Sequence, residues 1–258
     1  MKRMPIKAYI AIVVALISTQ SFSSTAFTPL PVSTNNVYSQ WQARKPELLI
    51  ELGGFFATQG QNNQMIAIED LKGNQYTVTN GNSSSGIVGL GYYMRGWSRD
   101  RFDVSYGLNT FYFAPSSVSG YIVEEMMFTN LAYKYDVNHF PLYVAAKGKF
   151  NNSQDRYALV FDAGIGPNFT RTRHYQEQPR APMYSVNNSF SGASNVTFSA
   201  MAGIGFRINR LFGSAPLECG YRFFYLGQDA LQPTNDQILT RLSTGENYAQ
   251  AIMCGLVI

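Results

Sequence analysis

An all-β fold, an eight-stranded antiparallel up-and-down transmembrane β-barrel, follows from three features of this 258-residue sequence. The chain opens with a basic start and a short apolar run, the pattern of an export leader. Behind it, eight segments alternate apolar and polar residues as a strand must when one of its faces is greasy and the other wet. The connections between those segments alternate long and short, which gathers every long one at the same end.

Composition supports a partly non-aqueous surface. Charged residues make up 14% of the chain and hydrophobic ones 45%, whereas a soluble domain carries about 25% charged residues. Of the 20 basic residues, Lys2, Arg3 and Lys7 fall in the leader, which leaves 17 against 16 acidic ones. That near balance removes the case for a nucleic-acid partner. The apolar run Ala8–Ile17 is too short to cross a bilayer as a helix, which needs about 20 residues, so residues 1–26 read as a cleaved signal peptide with the cut after Ala26. No later stretch reaches helix-spanning length without interruption, so an exported chain that enters a membrane must do so as a closed barrel. Residues 27–46, with Pro29, Pro31, Pro46, Asn35, Asn36 and Trp41 and no sustained period, form a periplasmic lead-in segment; a partial plug folded into the lumen is the alternative. Residues 47–258 are the barrel domain.

The first strand covers Glu47–Thr58, with Leu48, Ile50, Leu52 and Phe56 outward and Leu49, Glu51, Gly53 and Phe55 inward. A polar loop runs to about Ser84. The second strand, Ser85–Trp97, turns Val88, Leu90, Tyr92 and Met94 outward and Gly89, Gly91, Tyr93 and Arg95 inward, and only Ser98 to Asp100 separates it from the third. Arg101–Phe113 has the clearest pattern: Phe102, Val104, Tyr106, Leu108 and Tyr112 on one parity, Arg101, Asp103, Ser105, Gly107 and Asn109 on the other. A long polar loop is expected from there to about Leu131. In the fourth strand Tyr133, Tyr135 and Val137 share one parity and Leu142, Val144, Ala146 and Phe150 the other, so a one-residue bulge near Asn138–Pro141 is expected to bring both sets outward. Arg156–Thr170, Asn195–Ile208, Pro216–Gly227 and a terminal strand carrying Tyr248, Ile252, Leu256 and Ile258 complete the eight.

The connections come to roughly 26, 3, 18, 5, 24, 7 and 19 residues. In bacterial barrels the short turns are periplasmic and the long loops extracellular, which places the chain in the outer membrane with both termini in the periplasm. A soluble sandwich offers no reason for such a segregation of loops. The export leader, the eight strands with inward glycine pairs Gly89/Gly91, Gly164/Gly166 and Gly203/Gly205, and a strand that ends on the last residue resemble the small OmpA-like, opacity-type outer-membrane β-barrel family. The resemblance implies a barrel inserted by machinery that reads the C-terminal strand, although Ile258 stands where such proteins usually end in Phe. It implies contact with outer-membrane lipid and lipopolysaccharide, and no peptidoglycan-binding domain after the barrel.

An eight-stranded lumen is narrow enough to be filled by side chains, so inward charges should pair there. Glu51, Asp103, Asp162 and Glu218 face Arg95, Lys147, Lys149, Arg207 and Arg222, nearly in balance. An ion-paired plug is the first reading of them and a small ion conduit the second. The two histidines, His139 and His174, lack a His-x-Ser arrangement or an adjacent acid, so no catalytic residue is assigned. No metal site is assigned either, because two histidines and two cysteines show no ligand spacing, and Asp236 and Glu246 read as solvated loop acids. No cofactor is expected. Outward Tyr112, Tyr157, Tyr225, Tyr248 and Trp97 suit interfacial girdles. The polar loops suit display, with host-surface contact as the implied partner.

The function expected is structural or surface-interacting, adhesin- or antigen-like and non-enzymatic; a small solute channel is the alternative, and a lipid-modifying enzyme the third. Cys219 and Cys254 share the outward parity on the last two strands. Opposed residues of a symmetric hairpin share a midpoint, which is 236.5 for this pair and 237 for the loop Gln228–Glu246. The two cysteines are therefore expected level with one another, either bonded or as two small apolar side chains facing lipid.

Overall fold

The computed structural model describes residues 46–212 and 215–258. The signal peptide and, apart from Pro46, the lead-in segment lie outside the described residues. The strands are β1 (Glu47–Thr58), β2 (Gln64–Ile66), β3 (Asn74–Asn80), β4 (Asn82–Arg99), β5 (Phe102–Glu124), β6 (Phe128–Asn151), β7 (Tyr157–Pro179), β8 (Phe190–Ser191), β9 (Ser194–Phe212), β10 (Ala215–Pro233) and β11 (Leu242–Val257). Eight of them, β1, β4, β5, β6, β7, β9, β10 and β11, pair antiparallel in a ring that β1 and β11 close. Closure reaches the last residue, where Leu48 and Ile258 exchange backbone hydrogen bonds of 2.9 and 2.8 Å. A closed ring leaves no unpaired sheet edge, the condition for a sheet to survive in hydrocarbon.

Through the half of the barrel nearer the termini, the alternation is the one expected. Leu52, Phe56, Leu90, Leu108, Val144 and Phe161 are exposed on the outer wall, while Glu51, Asn109, Lys147, Asp162 and Arg222 are buried inside. On β7 the outward apolar positions run from Leu159 to Phe169. Ten residue steps at ~3.3 Å, tilted by ~40°, give an apolar band of ~25 Å. Past Phe140 on β6 and Phe169 on β7 the outward positions become Asn138, Asp136 and Lys134, and Arg171 and Arg173.

The far half departs from the sequence reading. At 23, 24 and 23 residues, β5, β6 and β7 are about twice the length needed to cross a membrane. The loop expected after Phe113 is strand as far as Glu124, and only Glu125–Met127 turn the chain into β6. The loop expected after Thr170 is likewise strand to Pro179, and the first loop holds the β2–β3 hairpin, with β3 paired to β5 beyond the end of β4. Nor does β6 carry the bulge expected at Asn138–Pro141, since its alternation is unbroken and Tyr133, Tyr135 and Val137 point inward. The register shifts near that point lie in its neighbours instead, in β5 between Phe113 and Ser116, around Pro115, and in β7 beside His174, whose φ is +52°; β6 has its own extra residue only at Asn130, where Ile122 and Val123 pair with Leu131 and Thr129.

The cause is a change of surroundings. Beyond the apolar band the outer face meets water in place of lipid, so the apolar residues move to the interior and the exterior turns polar while the strand keeps its period of two. The inward Tyr76, Val118, Ile122, Leu131, Tyr133, Tyr135, Val137 and Leu231 form a second core there.

Candidate functional site

The lumen near the termini is organised by Arg222 on β10. Its Nη1 donates to Glu51 Oε1 at 2.7 Å, and Nε and Nη2 donate to Asp162 Oδ2 at 2.8 and 2.6 Å. Lys147 Nζ donates to Glu218 Oε1 at 2.8 Å, and that oxygen is 3.8 Å from Arg222 Nη2. The ammonium of Lys147 lies 4.4 Å above the Tyr93 ring, and the Arg222 guanidinium 5.7 Å from the Phe111 ring. The inward glycines make the space for these long side chains: a Cβ at Gly203 would run into Asp162 Oδ1, and one at Gly255 would lie 2.6 Å from Glu51 Cγ.

The nine charges named from the sequence do not form one network. Glu51, Lys147, Asp162, Glu218 and Arg222 make the central cluster. Nearer the short turns, Asp103 takes Arg95 at 2.9 Å and Lys149 at 3.3 Å, with Ser98 and Asn151 also donating to it. Arg207 turns to Glu47 in a two-pronged contact of 2.8 and 3.2 Å. Glu47 was missed as a strand-end residue, although it shares the inward parity of Glu51. Cys219 and Cys254 are directly opposed on the outer face of the β10–β11 pair, and their sulfurs are bonded.

Above the charges, Phe55, Phe111, Phe113, Tyr143 and Phe224 fill the cross-section, each at most 2% exposed. Phe113 packs edge-on against Phe55 at 5.0 Å and Phe224 at 5.1 Å, and Phe111 meets Phe224 at 5.0 Å. These rings share the parity of the polar residues, and their aromatic character on that face was the available signal. The next layer is polar. Buried His139 sits between Gln59 at 3.3 Å and Asn168 at 3.0 Å, while Asn168 also donates to the Leu226 carbonyl at 2.7 Å.

His174 does have an acid beside it, contrary to the sequence reading. The β6–β7 pairing sets its Nδ1 3.0 Å from Asp136 Oδ2. Partial burial pushes the Asp136 carboxyl up, but hydrogen bonds from Ser117 and His174 outweigh that and hold it below the usual range. Ser117 donates to Asp136 at 2.6 Å and so contacts the acid and not the imidazole. The three residues lie on the outer wall and do not make a nucleophile–base pair. Among the described residues no group of three or more His, Cys, Asp or Glu gathers as a metal site.

The end opposite the termini opens as a hollow of about 440 Å³. Tyr76, Ile122, Leu131 and Ile238 line its floor, and Glu124, Glu125, Glu177 and several Asn and Gln side chains its wall. The loops around it are tied to one another: Glu69 N bonds Gln237 O at 2.9 Å, Leu239 N bonds Ala67 O at 2.9 Å and Thr234 N bonds Ser189 O at 3.0 Å. Glu177 is spent on this bracing, accepting from Tyr175 Oη at 2.6 Å and from the Asn188 and Ser189 amides at 2.9 Å. Burial, with the neighbouring Tyr76 and Glu177, pushes the Tyr175 hydroxyl far above its ordinary range, so it stays a donor.

A closed ring of eight antiparallel strands, with an apolar outer band and a packed charged interior, defines a β-barrel of the outer-membrane type. Surface and outer-membrane proteins are among the solved structures it is similar to. Neisserial surface protein A matches at 9% identity over 84% of this chain and 98% of its own, with a TM-score of 0.44. OprG from Pseudomonas aeruginosa matches at 12% identity over 83% and 97%, with a TM-score of 0.47. Ail, the attachment invasion locus protein of Yersinia pestis, matches at 12% identity over 83% and 99%, with a TM-score of 0.34. No protein-family model matches the sequence, and no curated protein does. Likeness at this level assigns no residue role to this chain.

Proposed function

We propose that this chain is an integral outer-membrane protein, released from its leader after Ala26, with both termini in the periplasm and the hollow presented to the exterior. It acts by surface contact; it neither conducts solute nor catalyses a reaction. The observation that carries this reading is the double closure of the lumen: a buried, ion-paired charge cluster around Arg222 and, in series with it, the layer of Phe55, Phe111, Phe113, Tyr143 and Phe224. Within that layer the Tyr143 hydroxyl is engaged with Ser199 Oγ at 2.6 Å. Outward Lys134, Arg171 and Arg173, just past the apolar band, suit the phosphates of outer-membrane lipid and lipopolysaccharide. The terminal strand β11, whose outward apolar side chains include Ile252, Leu256 and the following Ile258, is the segment offered to the insertion machinery.

Purified folded protein in a planar lipid bilayer tests the closed lumen. Current is expected to stay at the level of bare lipid over the usual voltage range. Steady unitary steps, abolished by unfolding the protein, would overturn the reading in favour of a channel.

A further inference from the structure

We infer that the hollow at the loop end, with the crest around it, binds a basic amphipathic segment of a partner polypeptide. This rests on the surface-contact reading above and names the chemistry of the contact. Two independent features point the same way. The polar part of the hollow is acceptor-rich: Glu124, Glu125 and Glu177 line it, together with Asn74, Asn130 and Gln237, and no Lys, Arg or His is among its lining residues. Glu177 is fully engaged in holding its loop, and one oxygen of Glu124 takes the Asn130 amide at 2.7 Å. Glu125 and the second oxygen of Glu124 are left for a cation.

The second feature is apolar. Met126, Met127 and Phe128 are 56%, 62% and 58% exposed at the β5–β6 turn, and Leu71, Met183 and Leu239 stand exposed on the loops beside it. These residues lie beyond the polar Lys134, Arg171 and Arg173 level and so outside the apolar band that lipid covers. Large apolar side chains in water at the tip of a protein mark a contact surface, and methionine adapts its shape to what it meets. Glu125 and Phe128, both lining the hollow, bracket Met126 and Met127 in the chain, so the acidic and apolar features form one continuous surface.

A segment carrying Lys or Arg beside Leu or Phe satisfies both features, with its cation lowered toward Glu124 and Glu125 and its apolar side chains laid on Met126, Met127 and Phe128. An anionic glycan would meet the carboxylates and be repelled. The backbone ties between the loops mean that little ordering is needed on binding, which favours affinity.

The test uses the full barrel in phosphatidylcholine nanodiscs and a fluorescein-labelled peptide in which arginines alternate with leucine and phenylalanine, read by anisotropy. Control peptides replace the arginines by glutamate or the apolar residues by serine, and empty nanodiscs report binding to lipid alone. The arginine peptide is expected to bind the barrel more tightly than empty discs, and neither control peptide should match it. Glu124→Gln/Glu125→Gln is expected to weaken binding about tenfold, or ~1.4 kcal/mol, and Met126→Ser/Met127→Ser/Phe128→Ser to weaken it comparably. Both variants should keep the heat-dependent gel shift of a folded barrel. Binding unchanged in the Glu pair, binding no tighter than to empty discs, or equal binding of the glutamate peptide would overturn the proposal. A silent planar bilayer alongside any of those results sinks only the hollow, whereas a conducting barrel that still binds peptide sinks only the closed lumen.

Discussion

Replacing Arg222 by methionine removes the cation at the centre of the lumen charge cluster. Among the described residues Arg222 is the only hydrogen-bond partner of the Glu51 and Asp162 carboxylates, whose side chains are 1% and 3% exposed; Glu218 would keep Lys147. Methionine retains much of the volume and none of the charge, so two carboxylates would be stranded in a dry interior. Breaking a buried pair in this way costs ~3–5 kcal/mol, a large share of the ~5–15 kcal/mol that holds a typical domain folded. Arg95→Ala is the control, because Arg95 is 45% exposed and Asp103 retains Lys149, Ser98 and Asn151. Its cost should stay within ~1 kcal/mol. The assay is urea unfolding from lipid vesicles, followed by the shift between folded and unfolded bands on cold gels. Arg222→Met/Glu51→Gln/Asp162→Asn removes the stranded charges together with their partner and should recover most of the loss. If Arg222→Met unfolds at the same urea concentration as Arg95→Ala, the central cluster does not hold the barrel. If the triple variant is no better than the single one, the cost is lost packing and the charge argument fails.

Two further outcomes follow from residues elsewhere in the wall. The Cys219–Cys254 bond spans 35 residues of chain, for which loop closure gives at most ~4 kcal/mol. Reduction, or Cys219→Ser/Cys254→Ser, should lower the unfolding midpoint and slow the unfolded band on non-reducing gels; identical mobility with and without reductant would show the pair unbonded. Asp229, beyond the Tyr225 and Tyr248 level, is buried with Oδ2 unpartnered, and burial pushes its carboxyl up despite hydrogen bonds from the Ala230 amide and Asn195. A raised folded pKa means that the folded state holds the proton more tightly, so stability is lost as pH climbs from the ordinary carboxylate value through the folded one. Asp229→Asn should therefore stabilise the protein at neutral pH by on the order of 1 kcal/mol, with the gain fading on acidification in urea titrations run at both pH values. A gain that persists unchanged in acid would refute that account.

The membrane half of this barrel was legible in the sequence because its two environments are chemically opposite at every position. Lipid outside and charge inside print a period of two in residue type, and the inward or outward place of Glu51, Asp103, Asp162, Arg222 and the two cysteines can be read from that parity alone. The same rule misled beyond the band. Tyr133, Tyr135 and Val137 keep the strand period but face inward, because the exterior there is water; a sequence records the alternation and not which side is wet. Pairing was out of reach for a related reason. Arg207 meets Glu47 across 160 positions of chain, and Arg222 meets Glu51 across 171, because closing β1 onto β11 sets strands side by side that are farthest apart in sequence. The hollow is further still from legibility, since its lining is drawn from the strands β3, β5, β6 and β7 and from four separate connections between strands. Only the register of the closed ring, and the backbone bonds that tie those loops together, bring Glu124, Ile238 and Tyr76 around one space.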